Sequence, residues 1–167
     1  MDITRYARLR SGFERFLEAI VFVLMFALAI VVTLAVVYRK VGASLVWYDE
    51  IASVLLAWIT YYGAALAALR GAHIGVSVLV DAMPRPLRVA ATLFAELCVI
   101  GFFVLLAWVG YSILDVLATD TLVSLPGVSV IYTQSVIPIG ATLFVIAELM
   151  RLPEALRQAG SRFGANP

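Results

Sequence analysis

Four long apolar runs restrict the fold of this chain more than any other feature of its sequence. Only the third run contains a charged residue, Glu96. The runs cover residues 19–38, 51–69, 89–114 and 121–147. A helix needs about 20 mostly apolar residues to cross the hydrocarbon core of a bilayer, and each run is long enough. Strands of a membrane barrel would instead appear as short segments of alternating polarity, which this sequence lacks.

These runs predict an all-α membrane protein with one membrane domain over residues 1–167. A turn signal at Pro126-Gly127 places the expected start of the fourth helix near Val130. The predicted spans are 17–38, 50–69, 89–114 and 130–150. Two further segments, 5–16 and 73–83, mix apolar residues with arginines or end in prolines, and we predict short interfacial helices there.

Composition supports a membrane location and argues against several functions. Hydrophobic residues make up 63% of the chain and charged residues 14%, whereas soluble domains hold about 45–50% and about 25%. A net charge of +1 gives no reason to expect a nucleic-acid partner. The single cysteine, Cys98, excludes an internal disulfide or a multi-cysteine metal site. With no catalytic motif or metal-ligand spacing, we predict neither an enzyme nor a bound cofactor.

The distribution of Lys and Arg predicts the orientation. Ten of the twelve lie in the N-terminal segment, the middle loop or the C-terminal tail, and only Arg39 and Lys40 lie in the other two loops. Basic residues are enriched on the cytoplasmic side of membrane proteins. We therefore expect both termini in the cytoplasm.

Glu96 is the one charge predicted well inside a span, and ionisable residues there suggest function. It can be a coupling carboxylate that binds a proton or a cation. It can equally be paired with another helix or extend toward the inner interface. No cation is expected elsewhere in the four spans.

The second span carries most of the other candidate residues. Asp49 and Glu50 open it, where acidic groups are stabilised by the helix dipole or can contact a partner. Gly63, Ala67 and Gly71 form a ridge of small residues that allows close helix packing, within this chain or on a partner. The remaining candidates near this span are Trp58, Arg70 and His73.

The fourth span contains Pro138-Ile139-Gly140. A proline inside a helix removes a hydrogen bond and kinks the backbone, which frees a carbonyl for other donors. Thr133, Gln134 and Ser135 lie close enough in sequence to compensate.

Several of these residues together resemble a known family. They are Trp47-Tyr48-Asp49-Glu50, Trp58, Gly63-Ala64-Ala65, Arg70, His73-Ile74 and Ile137-Pro138-Ile139-Gly140. The pattern is similar to that of the DctQ-type small membrane subunit of tripartite (TRAP) transporters and covers nearly the whole chain. It departs from the family at Val76-Ser77, where Val-Asp is frequent, and the acid follows later at Asp81.

The resemblance implies a non-catalytic subunit of the bacterial inner membrane. Such a subunit is a scaffold for a large multi-span permease, which carries the substrate and sodium sites, while a periplasmic binding protein delivers an organic acid. On this reading we predict that partner contacts involve the candidates of the second span. These are Asp49, Glu50, Trp58, Gly63, Ala67, Arg70, Gly71 and His73.

Two other functions remain open at this point. A self-sufficient small four-helix proton-coupled antiporter would use Glu96 as its coupling residue. A membrane anchor of a redox enzyme would need haem-ligating histidines, and His73 is the only histidine.

Overall fold

A computed structural model describes residues 3–71 and 83–161. Within these ranges it contains five α-helices and a short 3-10 turn at Leu117–Thr119. The helices are α1 (Ile3–Lys40), α2 (Tyr48–Arg70), α3 (Arg85–Val116), α4 (Val130–Gln134) and α5 (Val136–Ser161). Four segments are long and apolar enough to cross a membrane: α1, α2, α3 and the consecutive pair α4 and α5. The predicted interfacial segment 73–83 lies outside the described residues, apart from Met83.

Helix α1 runs without interruption through residues 5–16, which we had predicted to form a separate interfacial helix. Ser11-Gly12 does not break the helix, and the side chains of its first turns are bonded to α2 and α5. The location of these turns at the membrane interface stays a prediction. A helix of 38 residues is about 57 Å long, roughly twice the thickness of a bilayer's hydrocarbon core. The first turns of α1 therefore extend beyond the apolar layer or require a strong tilt.

The helices pack in a spatial order that differs from their order in the chain. α1 packs against α2, α2 against α5, and α5 against α3. α5 therefore lies between two helices that precede it in sequence. The core is formed where α1, α2 and α5 meet, and it consists of Leu17, Ala65, Ala68, Leu69, Phe144 and Ala147. Helix α3 also packs against this core, because the ring of Phe103 stacks on that of Phe144 with the centroids 3.7 Å apart.

Two glycines allow α5 to approach its neighbours closely. A Cβ atom at Gly140 would lie 2.6 Å from the Cβ of Tyr61 on α2. A Cβ atom at Gly110 of α3 would lie 3.0 Å from the Cδ of Pro138. Small residues at such contacts let helix backbones come together and gain dispersion energy, which drives helix association in lipid.

The outer helices expose broad apolar surfaces. Phe22, Phe26 and Ile30 are exposed on α1, and Phe94, Leu105 and Trp108 are exposed on α3. Apolar surface of this extent must be covered by lipid or by another membrane protein.

Candidate functional site

The first turns of α1 form a polar stripe that faces the ends of α2 and α5. Its members, Tyr6, Arg10, Glu14 and Glu18, are spaced by four residues and so share one face of the helix. The hydroxyl of Tyr6 donates to the carbonyl of Met150, and Arg10 pairs with Glu154. These contacts place the N-terminal part of α1 beside the C-terminal part of α5. The start of α1 and the end of α5 therefore lie at the same end of the bundle, which we call the inner end because the distribution of Lys and Arg predicts that it faces the cytoplasm.

Arg70, at the last position of α2, completes this arrangement. Its Nε donates to Glu14 Oε1 at 2.7 Å, and its Nη2 pairs with Glu18. We had expected Arg70 to bond to a carboxylate or carbonyl of a partner protein. In the structure its carboxylate partners belong to α1 of the same chain, and Arg70 is still 45% exposed on its side chain.

A second charged group lies deeper, between α3 and α5. Arg151 Nη1 is 3.5 Å from Glu148 Oε1 and 4.0 Å from Glu96 Oε1. The side chains are 21%, 4% and 12% exposed for Arg151, Glu148 and Glu96. We call these three residues the inner cluster. Glu96 is thus paired with another helix, one of the two roles left open from the sequence.

The cation near Glu96, Arg151, lies one residue beyond the predicted end of the fourth span, so the absence of cations from the four predicted spans did not exclude it. We had ended the fourth span at residue 150, whereas α5 continues to Ser161 and carries Arg151 on the face that meets α3. Arg151 also crosses over the end of α2. Its Nε is 2.8 Å from the position that a Cβ would take on Gly71. Gly71 ends α2 with a φ of 67°, a left-handed conformation that glycine adopts without strain.

At the opposite, outer end, Glu50 binds the loop that follows α3. Its carboxylate accepts hydrogen bonds from the backbone N–H groups of Val123 at 3.0 Å and Ser124 at 2.8 Å, and from the Ser124 hydroxyl. An isolated antiparallel bridge between Thr121 and Ser129 closes the same loop. The two neighbouring acids Asp49 and Glu50 therefore have different environments. Glu50 is hydrogen-bonded within the chain, whereas Asp49 is exposed to solvent.

The predicted kink in the fourth span is present as a break in the helix at Ser135, three residues before Pro138. The indole Nε1 of Trp58 on α2 donates to the carbonyl of Thr133 at 3.1 Å. Trp58 therefore supplies a hydrogen-bond donor to the disrupted turn before Ser135. Its position in the middle of the second span did not indicate this contact. The hydroxyls of Thr133 and Ser135 donate to the carbonyls of Val130 and Tyr132.

The small-residue ridge of α2 is divided between two environments. Gly71 lies under Arg151, whereas a Cβ at Gly63 would meet nothing within 4 Å. Ala67 is partly exposed, and the fully buried alanines of α2 are Ala65 and Ala68. The ridge thus keeps open space at Gly63. His73 lies outside the described residues, so its predicted contact stays a prediction.

Across residues 3–71 and 83–161 no group of three or more His, Cys, Asp or Glu side chains is arranged to hold a metal ion. The polar residues of the bundle instead bond to each other, in the α1 stripe, in the inner cluster and around Glu50. Sequence patterns that could have revealed these contacts are the four-residue spacing in α1 and the Glu148/Arg151 pair three residues apart.

Comparison with known proteins places this bundle in a family. The model of the DctQ component of tripartite ATP-independent periplasmic transporters matches residues 28–158, most of the chain. The chain belongs to this family. The DctQ match includes α2, α3, α4, Glu50 and the inner cluster, and it begins after the polar stripe of α1. As a DctQ component with four helices able to span a membrane, it is an inner-membrane transporter subunit.

Two curated relatives of this DctQ chain were found. The ectoine TRAP transporter small permease protein TeaB of Halomonas elongata is 30% identical over 152 residues, which is 87% of the chain and 76% of TeaB. The C4-dicarboxylate TRAP transporter small permease protein DctQ of Rhodobacter capsulatus is 36% identical over 47 residues. That match covers 28% of the chain and 21% of the relative's length.

Proposed function

We propose that this subunit is the scaffold of a sodium-coupled organic-acid uptake transporter. It would bind a large multi-span permease, which moves the substrate, and would help to dock a periplasmic substrate-binding protein. Family membership supports the transporter role, and the relatives' names refer to uptake systems for a C4-dicarboxylate and for ectoine. The same membership does not favour the small antiporter that we considered from the sequence.

The observation that carries the scaffold role is the distribution of polar and apolar surface. Arg10, Arg70 and Arg151 near the inner end each pair with acids of this chain, and both outer helices expose apolar faces. A protein that moved a solute by itself would be expected to present polar groups to a water-filled cavity near the midplane. A scaffold instead needs a rigid interior and a large outer surface for its partner.

We place the closest helix contact with the large permease at the Gly63–Ala67 part of α2. The open space at Gly63 lets a partner backbone approach, and the dispersion contacts of such a close approach stabilise helix pairs in lipid. Asp49 is the acidic group we assign to outer docking, because it is exposed whereas Glu50 is bonded to the 123–124 loop.

Co-purification with the large permease, encoded by a neighbouring reading frame, tests the scaffold role. We expect the two proteins to elute together from detergent extracts. We also expect Ala67→Leu to weaken the complex. Gly101→Leu is the matched control, since Gly101 lies on α3 and a Cβ there also meets nothing within 4 Å. If Gly101→Leu disrupts the complex and Ala67→Leu does not, the contact with the permease lies on α3, and the proposed contact at Gly63–Ala67 is wrong.

Transport in liposomes tests the role more directly. We expect sodium-dependent uptake of an organic acid only when this chain, the large permease and the binding protein are all present. Solute movement by this chain alone, along a sodium or proton gradient, would replace the scaffold role with that of a self-sufficient transporter.

A further inference from the structure

The inner cluster holds a carboxylate oxygen that no other group accounts for. Glu148 is buried at 3% exposure, and its Oε2 has no hydrogen-bond partner among residues 3–71 and 83–161. Its other oxygen, Oε1, is 3.5 Å from Arg151 Nη1, at the long limit of a hydrogen bond. Buried carboxylates are normally bonded on both oxygens, so this site demands an explanation.

A count of formal charge gives the first part of that explanation. Two carboxylates, Glu96 and Glu148, share a single guanidinium, that of Arg151. If both acids were ionised, the cluster would hold one uncompensated negative charge in a place screened from water. An uncompensated buried charge is strongly unfavourable, and it is usually removed by protonation or by a bound cation.

In the part of the chain that the structure describes, no basic side chain of the surrounding helices hydrogen-bonds to Glu148 Oε2. On α1, Arg10 is paired with Glu154, which is the next acid along α5. On α2, Arg70 is paired with Glu14 and Glu18. On α3, the buried Arg88 lies eight residues before Glu96, about two turns nearer the inner end, and it does not hydrogen-bond to Glu148 Oε2.

The geometry also decides which cation can bind. Metal ions such as Ca²⁺ or Mg²⁺ need about six oxygen ligands, and the described residues provide no group of three or more acidic or other metal-binding side chains. Glu148 Oε2 is enclosed by protein atoms, so a cationic side chain of a partner protein cannot reach it. A proton needs no further ligands and no additional space.

We propose that Glu96 and Glu148 bind one proton between them, so that the inner cluster is electrically neutral and ties α3 to α5. The protonated carboxyl group becomes a donor toward its neighbour, and the remaining carboxylate pairs with Arg151. This assignment stands whether or not the chain has the transport role proposed above. The proton belongs to the pair of acids and not to one of them.

Infrared spectroscopy of the purified protein near neutral pH tests the assignment. We expect the carbonyl stretching band of a protonated carboxylic acid, shifted in heavy water, in the wild-type spectrum. E148Q and E96Q should each abolish it, because the one remaining carboxylate then pairs with Arg151. E154Q is the control, since Glu154 pairs with Arg10 outside the cluster, and it should keep the band. Absence of the band from the wild type, or its survival in both E96Q and E148Q, would overturn the proposal.

Thermal unfolding in detergent provides a second readout. If the folded protein holds a proton that the unfolded protein releases, its stability falls as the pH rises. As the pH rises above the usual pKa of a glutamic acid, about 4.3, we expect the unfolding temperature of the wild type to fall more steeply than that of E148Q. E154Q should follow the wild type. Equal slopes for the wild type and E148Q would show that no proton is held, even if E96Q proves too unstable to purify.

Discussion

The carboxylate of Glu50 accepts a hydrogen bond from the backbone nitrogen of Ser124, 2.8 Å away and 74 positions later in the chain. This bond joins the start of α2 to the loop between α3 and α4. Because Val123 and the Ser124 hydroxyl donate to the same carboxylate, one side chain holds three donors of the loop. A residue that the sequence indicated as a helix-start acid or a partner contact therefore fixes the loop at this end of the bundle.

Glu50→Ala should loosen the 121–129 loop. It leaves the two backbone N–H groups of Val123 and Ser124 without their acceptor, so we expect faster proteolysis or faster amide hydrogen exchange in this loop. Asp49→Ala is the neighbouring control. It should leave the protection of the loop against proteolysis and hydrogen exchange unchanged. If Asp49 contacts the binding protein, it should lower the transport rate without affecting the loop. Equal loop protection in the wild type and Glu50→Ala would contradict this role.

Arg70 should contribute to holding α1 against α2. Arg70→Glu would place three acids together at the inner end, and like charges at this separation repel. We expect a lower unfolding temperature in detergent, with recovery when Glu14 and Glu18 are both changed to Lys. The milder Arg70→Gln should cost at most about 1 kcal/mol, because exposed ion pairs contribute little. Failure of the charge swap to recover stability would show that the pairs do not form.

Gly140→Ala should separate α2 from α5. The added Cβ would lie 2.6 Å from the Cβ of Tyr61, too close for any side chain, so the helices must move apart. Overpacking of this kind typically costs about 1–3 kcal/mol. The matched control is Gly63→Ala on α2, where a Cβ meets nothing within 4 Å, and it should leave the unfolding temperature nearly unchanged. Equal effects of the two substitutions would contradict the described helix contact.

The excess of Lys and Arg at the inner end predicts that this end faces the cytoplasm. The test is labelling of intact cells with an impermeant thiol reagent, in a Cys98→Ala background because Cys98 is exposed. Ser44→Cys and Val123→Cys should react from outside, and Val123 is 92% exposed. Gly12→Cys should react only after the cells are opened. The reverse result would invert the orientation.

The presence of the four long helices could be predicted from the sequence, because the length of an apolar run largely decides whether that segment can span a bilayer. The start of the fourth helix at Val130 follows from Pro126-Gly127, and the break at Ser135 follows from Pro138. These features depend on neighbours in the chain, so a local pattern is enough to find them.

Contacts between distant residues could not be predicted in the same way. The pairing of Glu96 with Arg151 depends on α5 lying beside α3 and on α5 continuing past the predicted end of its span. Likewise, Trp58 donates to Thr133 only because α2 and the disrupted turn of the fourth span are adjacent. Periodicity shows which residues share a helix face, but it does not show which helix that face meets.

The position of α5 between α2 and α3 has a consequence for how the chain is assembled. Membrane helices enter the bilayer in the order of synthesis and associate afterwards. Until α5 is made, the α2 face with Ala65, Ala68 and Leu69 lacks its partners Phe144 and Ala147. α3 likewise lacks its main neighbour before that point, because its most extensive contacts are with α5. The last of the described helices to leave the ribosome thus joins α2 to α3, and a chain stopped before Val136 would remain a hairpin of α1 and α2 with α3 not yet packed against α5.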